Sequence, residues 1–242
     1  MNDSTMPRLI EGNPTDSLAD LPGRNAAKDP QRVSFTVKEQ GAWRDVTAAQ
    51  FNDDVRGLAK GLIAAGLETG DRLAIMARTR YEWTLLDFAI WHAGGVVVPI
   101  YETSSAEQVE WILSDSSAKA VFVETSEHRA TVDSVVAGLP EVRHVWQVDG
   151  PSGDAAGAID ELTALGASVS DDDARARRKM VGADDTATIV YTSGTTGRPK
   201  GAVLTHANCF WTNLSFGLTC DLTSEDVVLQ VLPQFHVGGW NV

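Results

Sequence analysis

Residues 73–99 read LAIMARTRYEWTLLDFAIWHAGGVVVP, and this stretch decides the fold class. It begins with the short apolar run LAIM and ends with VVVP, and residues 83–90 between them suit a helix that Gly94 and Gly95 would close. Apolar runs this short are typical of buried strands, and a helix between two of them is the crossover that joins parallel strands. The stretch therefore predicts a strand–helix–strand unit. Thr79, with Glu82 three residues later, has the spacing of a side chain that caps its helix.

The same rhythm continues on both sides of this unit. Upstream, Thr47 and Gln50 have the spacing of a capping box before a helix that Gly66 would end. Downstream, Ser105 and Gln108 repeat that spacing. Further elements are expected as a strand at 120–123, a helix at 126–139, extended chain at 142–148, and strands at 188–191 and 202–204. The series predicts an α/β fold, doubly wound, with mostly parallel sheets and helices on both faces.

Composition changes along the chain suggest how it is organised. A polar, poorly ordered lead-in is expected over residues 1–16, followed by an incomplete domain over 17–242. Within that domain the expected parts are a first α/β subdomain at 17–150, a surface excursion at 151–185 with helices at 159–165 and 171–180, and the start of a second subdomain at 186–242.

Charge and cysteine content exclude several classes of protein. The 242 residues carry a net charge of −13, which argues against nucleic acid as a partner because phosphate backbones are bound through dense Lys and Arg. Cys209 and Cys220 lack metal-ligand spacing and suit reduced thiols. The longest apolar stretch, residues 85–100, is too broken to span a bilayer. The expected location is the cytoplasm, where a membrane-delivered substrate would still allow peripheral contact with a membrane.

Residues 188–205, TIVYTSGTTGRPKGAVLT, place a loop rich in glycine and hydroxyl groups between two apolar runs. Gly194 and Gly197 allow positive φ and a close approach of the backbone to a ligand, and successive N–H groups in such a turn bind anions. Hydroxyl donors come from Thr192, Ser193, Thr195 and Thr196. Lys200 adds a mobile positive charge suited to phosphate. The loop therefore predicts a polyphosphate-binding site.

Two other interpretations of this loop fit less well. A Walker-type loop has its lysine directly after glycine and before Ser or Thr, whereas Lys200 follows Pro199 and precedes Gly201. A hairpin without function needs only one or two glycines. The loop instead combines three glycines with four hydroxyl groups and a lysine.

Residues 191–201, YTSGTTGRPKG, resemble the signature loop of the adenylate-forming, or AMP-binding, superfamily, which includes acyl-CoA synthetases, luciferases and peptide-synthetase adenylation domains. The match is contiguous over the whole segment. Residues 101–108, YETSSAEQ, are similar to the long-chain fatty acyl-CoA ligase branch, and residues 232–237, LPQFHV, resemble the family's second motif.

The resemblance implies an activity and its co-substrates. A carboxylic acid, expected to be a long-chain fatty acid, attacks the α-phosphate of ATP to give an acyl-adenylate and pyrophosphate, and the thiol of coenzyme A then displaces AMP. The implied binding residues for ATP are Thr192, Ser193, Gly194, Thr195, Thr196, Gly197 and Lys200. Lys200, His236 and Thr192 are the implied catalytic residues, and Thr196 the implied ligand of Mg²⁺. The alternative for His236 is a buried structural histidine in the turn after Pro233.

The chain also departs from the family pattern. Gln234 and Phe235 stand where the long-chain branch usually has Leu-Ala. The family's Tyr-Gly-x-Thr-Glu segment, its ribose-binding Asp motif and its small C-terminal domain do not occur, so we expect a fragment that is inactive alone. The alternatives are an acyl-AMP ligase that loads a carrier protein, a non-catalytic ATP-binding fragment, and a kinase or ATPase, which would release ADP.

Overall fold

The computed structural model of the protein describes residues 12–39, 41–150, 157–192 and 198–240. Its strands are β1 (Val33–Glu39), β2 (Ala42–Thr47), β3 (Arg72–Met76), β4 (Val96–Ile100), β5 (Ala120–Val123), β6 (His144–Gln147), β7 (Thr186–Thr192) and β8 (Lys200–Thr205). Its helices are α1 (Leu21–Lys28), α2 (Ala48–Ala64), α3 (Tyr81–His92), α4 (Ala106–Asp115), α5 (Ser126–Val136), α6 (Ala158–Leu165), α7 (Asp171–Arg178), α8 (His206–Thr219) and α9 (Val237–Trp240). Short 3₁₀ turns occur at Leu18–Asp20 and Gly166–Ser168.

A mixed sheet forms the centre of the molecule. Within the described ranges its strand order is β6-β5-β3-β4-β7-β8, and all neighbours are parallel except the antiparallel pair β7–β8. From β3 the chain steps to β4 on one side and then crosses back to β5 on the other. This reversal makes the gap between β3 and β4 a switch point of the sheet. The predicted doubly wound α/β class is confirmed.

Alternate residues of the strands feed two cores, one on each face of the sheet. Leu73 and Ile75 of β3 are fully buried with α2, α3 and α6 on one face. Ala74 and Met76 are buried with α4 and α5 on the other. Because both faces are covered, the central strands β4 and β5 are continuously apolar, as the sequence pattern required.

Two of the three expected capping boxes are confirmed. Thr47 begins α2 and Ser105 begins α4, each with reciprocal hydrogen bonds to the residue three positions later. The third prediction is wrong, because α3 begins after Arg80 and has no side-chain cap. The hydroxyl of Thr79 is occupied by a distant segment of the chain instead, as described below.

The predicted surface excursion, residues 151–185, contains two helices, and one of them packs against the core. Its two helices are present as α6 and α7, and Leu162 of α6 is buried against α2. A Cβ on Gly61 would lie 2.0 Å from the Leu162 carbonyl oxygen, so the two helices meet where only glycine fits. The division of the chain at residue 185 stays a prediction; β7, which follows it, lies in the same sheet as β3 to β6.

The antiparallel hairpin β1–β2 is an element that the sequence pattern did not predict. Residues 1–11 of the expected lead-in lie outside the described residues. In the part of the chain that the structure describes, every helix is too short or too polar to cross a bilayer.

Candidate active site at the carboxyl edge of the sheet

Three neighbouring strands, β3, β4 and β7, deliver the candidate site residues to one edge of the sheet. In open α/β sheets, ligands bind outside the carboxyl ends of the strands, at the switch point. Arg78, Thr79 and Arg80 follow β3, Tyr101 follows β4, and Thr192 ends β7. Neighbouring strands are about 4.8 Å apart, so the ends of β3 and β7 are separated by about 10 Å. This span is suited to a small-molecule ligand.

The loop predicted to bind phosphate joins β7 to β8 at this edge. Thr192 and Lys200 are paired across the two strands, so they face each other at the base of the loop. Both residues are exposed, and in the described ranges no carboxylate forms an ion pair with Lys200. Five members of the predicted binding set lie outside the described residues: Ser193, Gly194, Thr195, Thr196 and Gly197.

Helix α4 holds both ends of this loop. The Tyr191 hydroxyl donates a hydrogen bond of 2.6 Å to the Asp115 carboxylate, and the Trp111 indole N–H donates one of 2.9 Å to the Pro199 carbonyl. The Arg198 guanidinium lies 4.5 Å from the centre of the Trp111 ring, a cation–π contact. Burial, and then the neighbouring Asp115, raise the pKa of Tyr191, so the phenol remains a donor at neutral pH. One turn of α4 thus fixes both ends, or stems, of the loop relative to the sheet: the stem at Tyr191 and the stem at residues 198–199.

Gly201 of the signature has a packing role. It lies opposite Tyr191 in the β7–β8 pair. A Cβ at this position would lie 2.7 Å from Cγ2 of Ile189 and 3.2 Å from Cζ of Tyr191. The Tyr191 ring crosses the space that a side chain would need. This glycine therefore leaves room for the ring, whose hydroxyl bonds to Asp115 of α4.

The segment around His236 is seated against the loop after β3. The Gln234 side chain accepts a hydrogen bond from the Arg80 backbone N–H at 3.1 Å and donates one to the Thr84 hydroxyl at 2.7 Å. The Phe235 ring lies 4.8 Å from that of Tyr101, between ring centroids. The segment that resembles the family's second motif therefore lies at the switch point between β3 and β4.

His236 is exposed, although it lies in the turn after Pro233 that the structural alternative required. Its Nδ1 accepts a hydrogen bond from the backbone N–H of Gly238 at 3.2 Å. In neutral imidazole one ring nitrogen accepts and the other donates, so this bond places the proton on Nε2. His236 therefore offers an N–H donor from Nε2.

A buried carboxylate fixes the loop after β3. Glu124, at the end of β5, is 4% exposed and accepts hydrogen bonds from the Arg78 backbone N–H at 2.9 Å and from the Arg78 guanidinium at 2.8 Å. Arg80 approaches the same carboxylate at 3.4 Å and pairs with Asp149 at 2.8 Å. Burial acts to raise the pKa of Glu124, but the bonds from Arg78 outweigh it, and the pKa lies below its usual range. The ionised carboxylate holds both arginines.

Metal ligation by protein side chains alone has no support in the described ranges, where no group of three or more His, Cys, Asp or Glu could hold an ion. Thr196, the predicted metal ligand, lies outside them.

Cys209 is buried, which raises its pKa to about 12 and makes it a poor nucleophile.

Several residues that build this site carry no local signal in the sequence. Trp111 and Asp115 contact residues 88 and 76 positions away, and Gln234 contacts residues more than 150 positions away. Trp111 is one of seven tryptophans in the chain, and nothing in its neighbourhood distinguishes it. Only the three-dimensional arrangement reveals these contacts.

A doubly wound α/β sheet whose candidate site lies at the carboxyl edge belongs to the class of α/β proteins that bind ligands at that edge. The chain belongs to the family described as AMP-binding enzymes, whose sequence model matches residues 23–242.

Named relatives agree with this assignment. A long-chain-fatty-acid–CoA ligase of Mycobacterium bovis, FadD15, is 43% identical over 208 residues, which are 86% of this chain and 34% of that protein. The crystal structure of the N-terminal domain of FACL13 from Mycobacterium tuberculosis matches with a TM-score of 0.76 and 28% identity, over 93% of this chain and 53% of that one. ATP-bound MatB from Rhodopseudomonas palustris matches with a TM-score of 0.71 and 30% identity, over 92% and 42%. The chain thus spans only part of the length of each relative.

Proposed function

We propose that these residues form the N-terminal, ATP-binding part of an acid–thiol ligase. This enzyme activates a carboxylic acid as an acyl-adenylate and transfers the acyl group to coenzyme A. The observation that carries the proposal is the TSGTTGRPKG loop, both ends of which are held by α4 at the same edge of the sheet where the His236 segment packs. The names of the relatives support a long-chain fatty acid as the substrate, and the MatB match supports ATP as the nucleotide.

The first chemical step suits the arrangement of charges. A carboxylate oxygen attacks the α-phosphorus, the bond from that phosphorus to the bridging oxygen breaks, and pyrophosphate leaves with added negative charge. Lys200 and the hydroxyl groups beginning with Thr192 would stabilise that charge more than they stabilise bound ATP. By comparison with oxyanion-hole deletions, losing one donor raises the barrier by about 3 kcal/mol.

His236 has a role in the same step. Its Nε2–H can donate a hydrogen bond to the attacking carboxylate or to an oxygen of the α-phosphate, which orients the two reactants. In the second step the thiol sulfur of coenzyme A attacks the acyl carbon, the bond from that carbon to the phosphate oxygen breaks, AMP leaves, and the thiol proton passes to solvent.

Magnesium belongs to this proposal through the chemistry of the loop. Hydroxyl oxygens such as those of Thr192 and Thr196 are ligands of the hard type that Mg²⁺ accepts beside phosphate oxygens. When bound, the ion would neutralise charge on the β- and γ-phosphates.

The proposal also includes location. We place the protein in the cytoplasm, with peripheral contact at a membrane where a fatty acid is taken up. Cell fractionation would contradict this placement by recovering the protein in an extracellular fraction.

Product analysis tests the proposed reaction. In the full-length ligase that carries these residues, incorporation of labelled pyrophosphate into ATP should depend on added fatty acid, and Lys200→Met should abolish it. Lys28→Met, an exposed lysine at the end of α1, is the matched control and should leave the rate unchanged. Release of ADP would instead indicate a kinase or ATPase. Transfer of the acyl group to a carrier-protein thiol, with none to coenzyme A, would favour the acyl-AMP ligase alternative.

A further inference from the structure

Gln234 is the most buried residue of the segment 232–236. It is 8% exposed, whereas Leu232, Pro233 and His236 are all exposed. Its amide makes the two hydrogen bonds to Arg80 and Thr84 described above. Burying an amide is costly unless its groups are paired, so the pairing specifies where the segment can lie.

Thr79 adds a second attachment to the same segment. Its hydroxyl accepts a hydrogen bond of 3.1 Å from the Gln234 backbone N–H and donates one of 3.2 Å to the Leu232 carbonyl. The backbone on both sides of Pro233 is therefore bound to the loop after β3. This use of the hydroxyl also explains why Thr79 does not cap α3.

The position of His236 follows from this attachment. Its backbone N–H donates to the Pro233 carbonyl at 3.1 Å, so the imidazole and the Gln234 side chain belong to one tight turn. The loop that receives Gln234 is itself held by the buried Glu124, which follows β5, through the Arg78 backbone N–H. A continuous series of hydrogen bonds thus connects β5, the end of β3 and the turn that presents His236.

We propose that Gln234 is a positioning residue for His236: its amide locks the histidine turn onto the loop after β3 and so fixes where the Nε2–H donor lies during adenylation. The proposal rests on the function proposed above and adds a residue to it. Small misplacements of a reacting group can lower rates by about 100-fold, so losing this lock should mainly lower kcat.

The test compares variants in the full-length ligase, with fatty-acid-dependent pyrophosphate exchange as the assay. Gln234→Met keeps the length of the side chain but cannot form the hydrogen bonds, and should lower kcat by about 10- to 100-fold with little change in KM for ATP. Gln234→Glu should recover much of the rate, because a carboxylate can accept from the Arg80 N–H while the Thr84 hydroxyl turns to donate. Gln31→Met, at an exposed glutamine, is the matched control.

A double-mutant cycle separates positioning from a general effect on folding. If Gln234 acts through His236, then Gln234→Met should cost almost nothing further in a His236→Asn background. An equal loss of kcat in both backgrounds, or a wild-type kcat in Gln234→Met, would overturn the proposal. If Gln234→Met does not fold, Thr84→Val removes one of the two side-chain bonds and should show the same dependence on His236.

A different result is expected if the proposed adenylation activity is itself wrong. In that case the wild type and the Gln31→Met control would themselves show no acid-dependent exchange.

A second measurement does not depend on turnover. Long-range ¹H–¹⁵N NMR spectra of the 242-residue chain, with His236→Asn to assign the signal, should show a proton on Nε2 of His236. Gln234→Met should shift that signal toward the average of free histidine, and an unchanged signal would count against the lock.

Discussion

Replacing Trp111 with phenylalanine or leucine should weaken ATP binding, although Trp111 belongs to α4 and not to the loop itself. The indole makes two contacts with the carboxyl stem of the loop, a hydrogen bond of 2.9 Å to the Pro199 carbonyl and a cation–π contact of 4.5 Å with Arg198. Phenylalanine removes the first and keeps a ring for the second. Leucine removes both. The pair of variants therefore separates the two contributions.

The size of the effect follows from these contacts. A neutral hydrogen bond contributes about 1 kcal/mol and an exposed cation–π contact about 0.5–1 kcal/mol. If the anchored stem is the conformation that binds the nucleotide, its loss reduces the competent fraction and raises the apparent Kd in proportion. Trp111→Phe should then raise Kd for ATP by up to about 5-fold and Trp111→Leu by up to about 10- to 30-fold.

Isothermal titration of the full-length ligase that carries these residues with ATP measures both values. Trp43→Leu is the matched control, because Trp43 also has a cation, Lys38, above its ring at 5.8 Å but lies on β2. The reasoning would be refuted if Trp111→Leu bound ATP as tightly as the wild type, or if Trp43→Leu weakened binding equally.

Three further predictions concern stability. Gly201→Ala should lower the free energy of unfolding by about 2 kcal/mol in urea titrations, because the added Cβ would lie 2.7 Å from Ile189 Cγ2. Burial lowers the pKa of His206 to about 4, so stability is fully present above pH 6.5 and about 3 kcal/mol is lost as the pH falls from 6.5 to 4, since the unfolded state binds the proton first. Asp20→Asn should cost about 3 kcal/mol in thermal unfolding, because the Arg178 side chain that it pairs with is only 8% exposed.

Each of these has a control. Gly217→Ala adds a Cβ where no atom lies within 4 Å, so it should be nearly neutral, and equal destabilisation by both glycine variants would argue against the steric explanation. Burial also lowers the pKa of His92 to about 4, so His206→Gln should remove about half of the loss of stability between pH 6.5 and 4, and a profile as steep as that of the wild type would assign the acid sensitivity to other groups. Asp16→Asn affects an exposed ion pair with Arg24 and should cost less than 1 kcal/mol; a similar loss for Asp20→Asn would contradict the role of burial.

Features with a local cause could be predicted from the sequence. The capping boxes at Thr47 and Ser105 depend on residues three positions apart, and the strands at the centre of the sheet depend on short apolar runs. The composition of the loop predicted to bind phosphate is equally local. These signals were sufficient for the α/β class and for placing the loop between two strands.

Features that depend on distant contacts could not be predicted. Thr79 and Glu82 have the spacing of a capping box, but the Thr79 hydroxyl bonds to Gln234, 155 positions away. Trp111 anchors Pro199 across 88 positions. Side chains with several hydrogen-bonding options are committed by tertiary packing, so their role follows only from the folded arrangement.

Titration of the full-length ligase that carries these residues with ATP and with AMP tests most directly whether the loop between β7 and β8 binds the polyphosphate. We predict that ATP binds more tightly than AMP, and that Lys200→Met removes most of that difference while leaving AMP binding unchanged. Equal affinities for ATP and AMP in the wild-type chain would contradict the assignment of this loop to the phosphates.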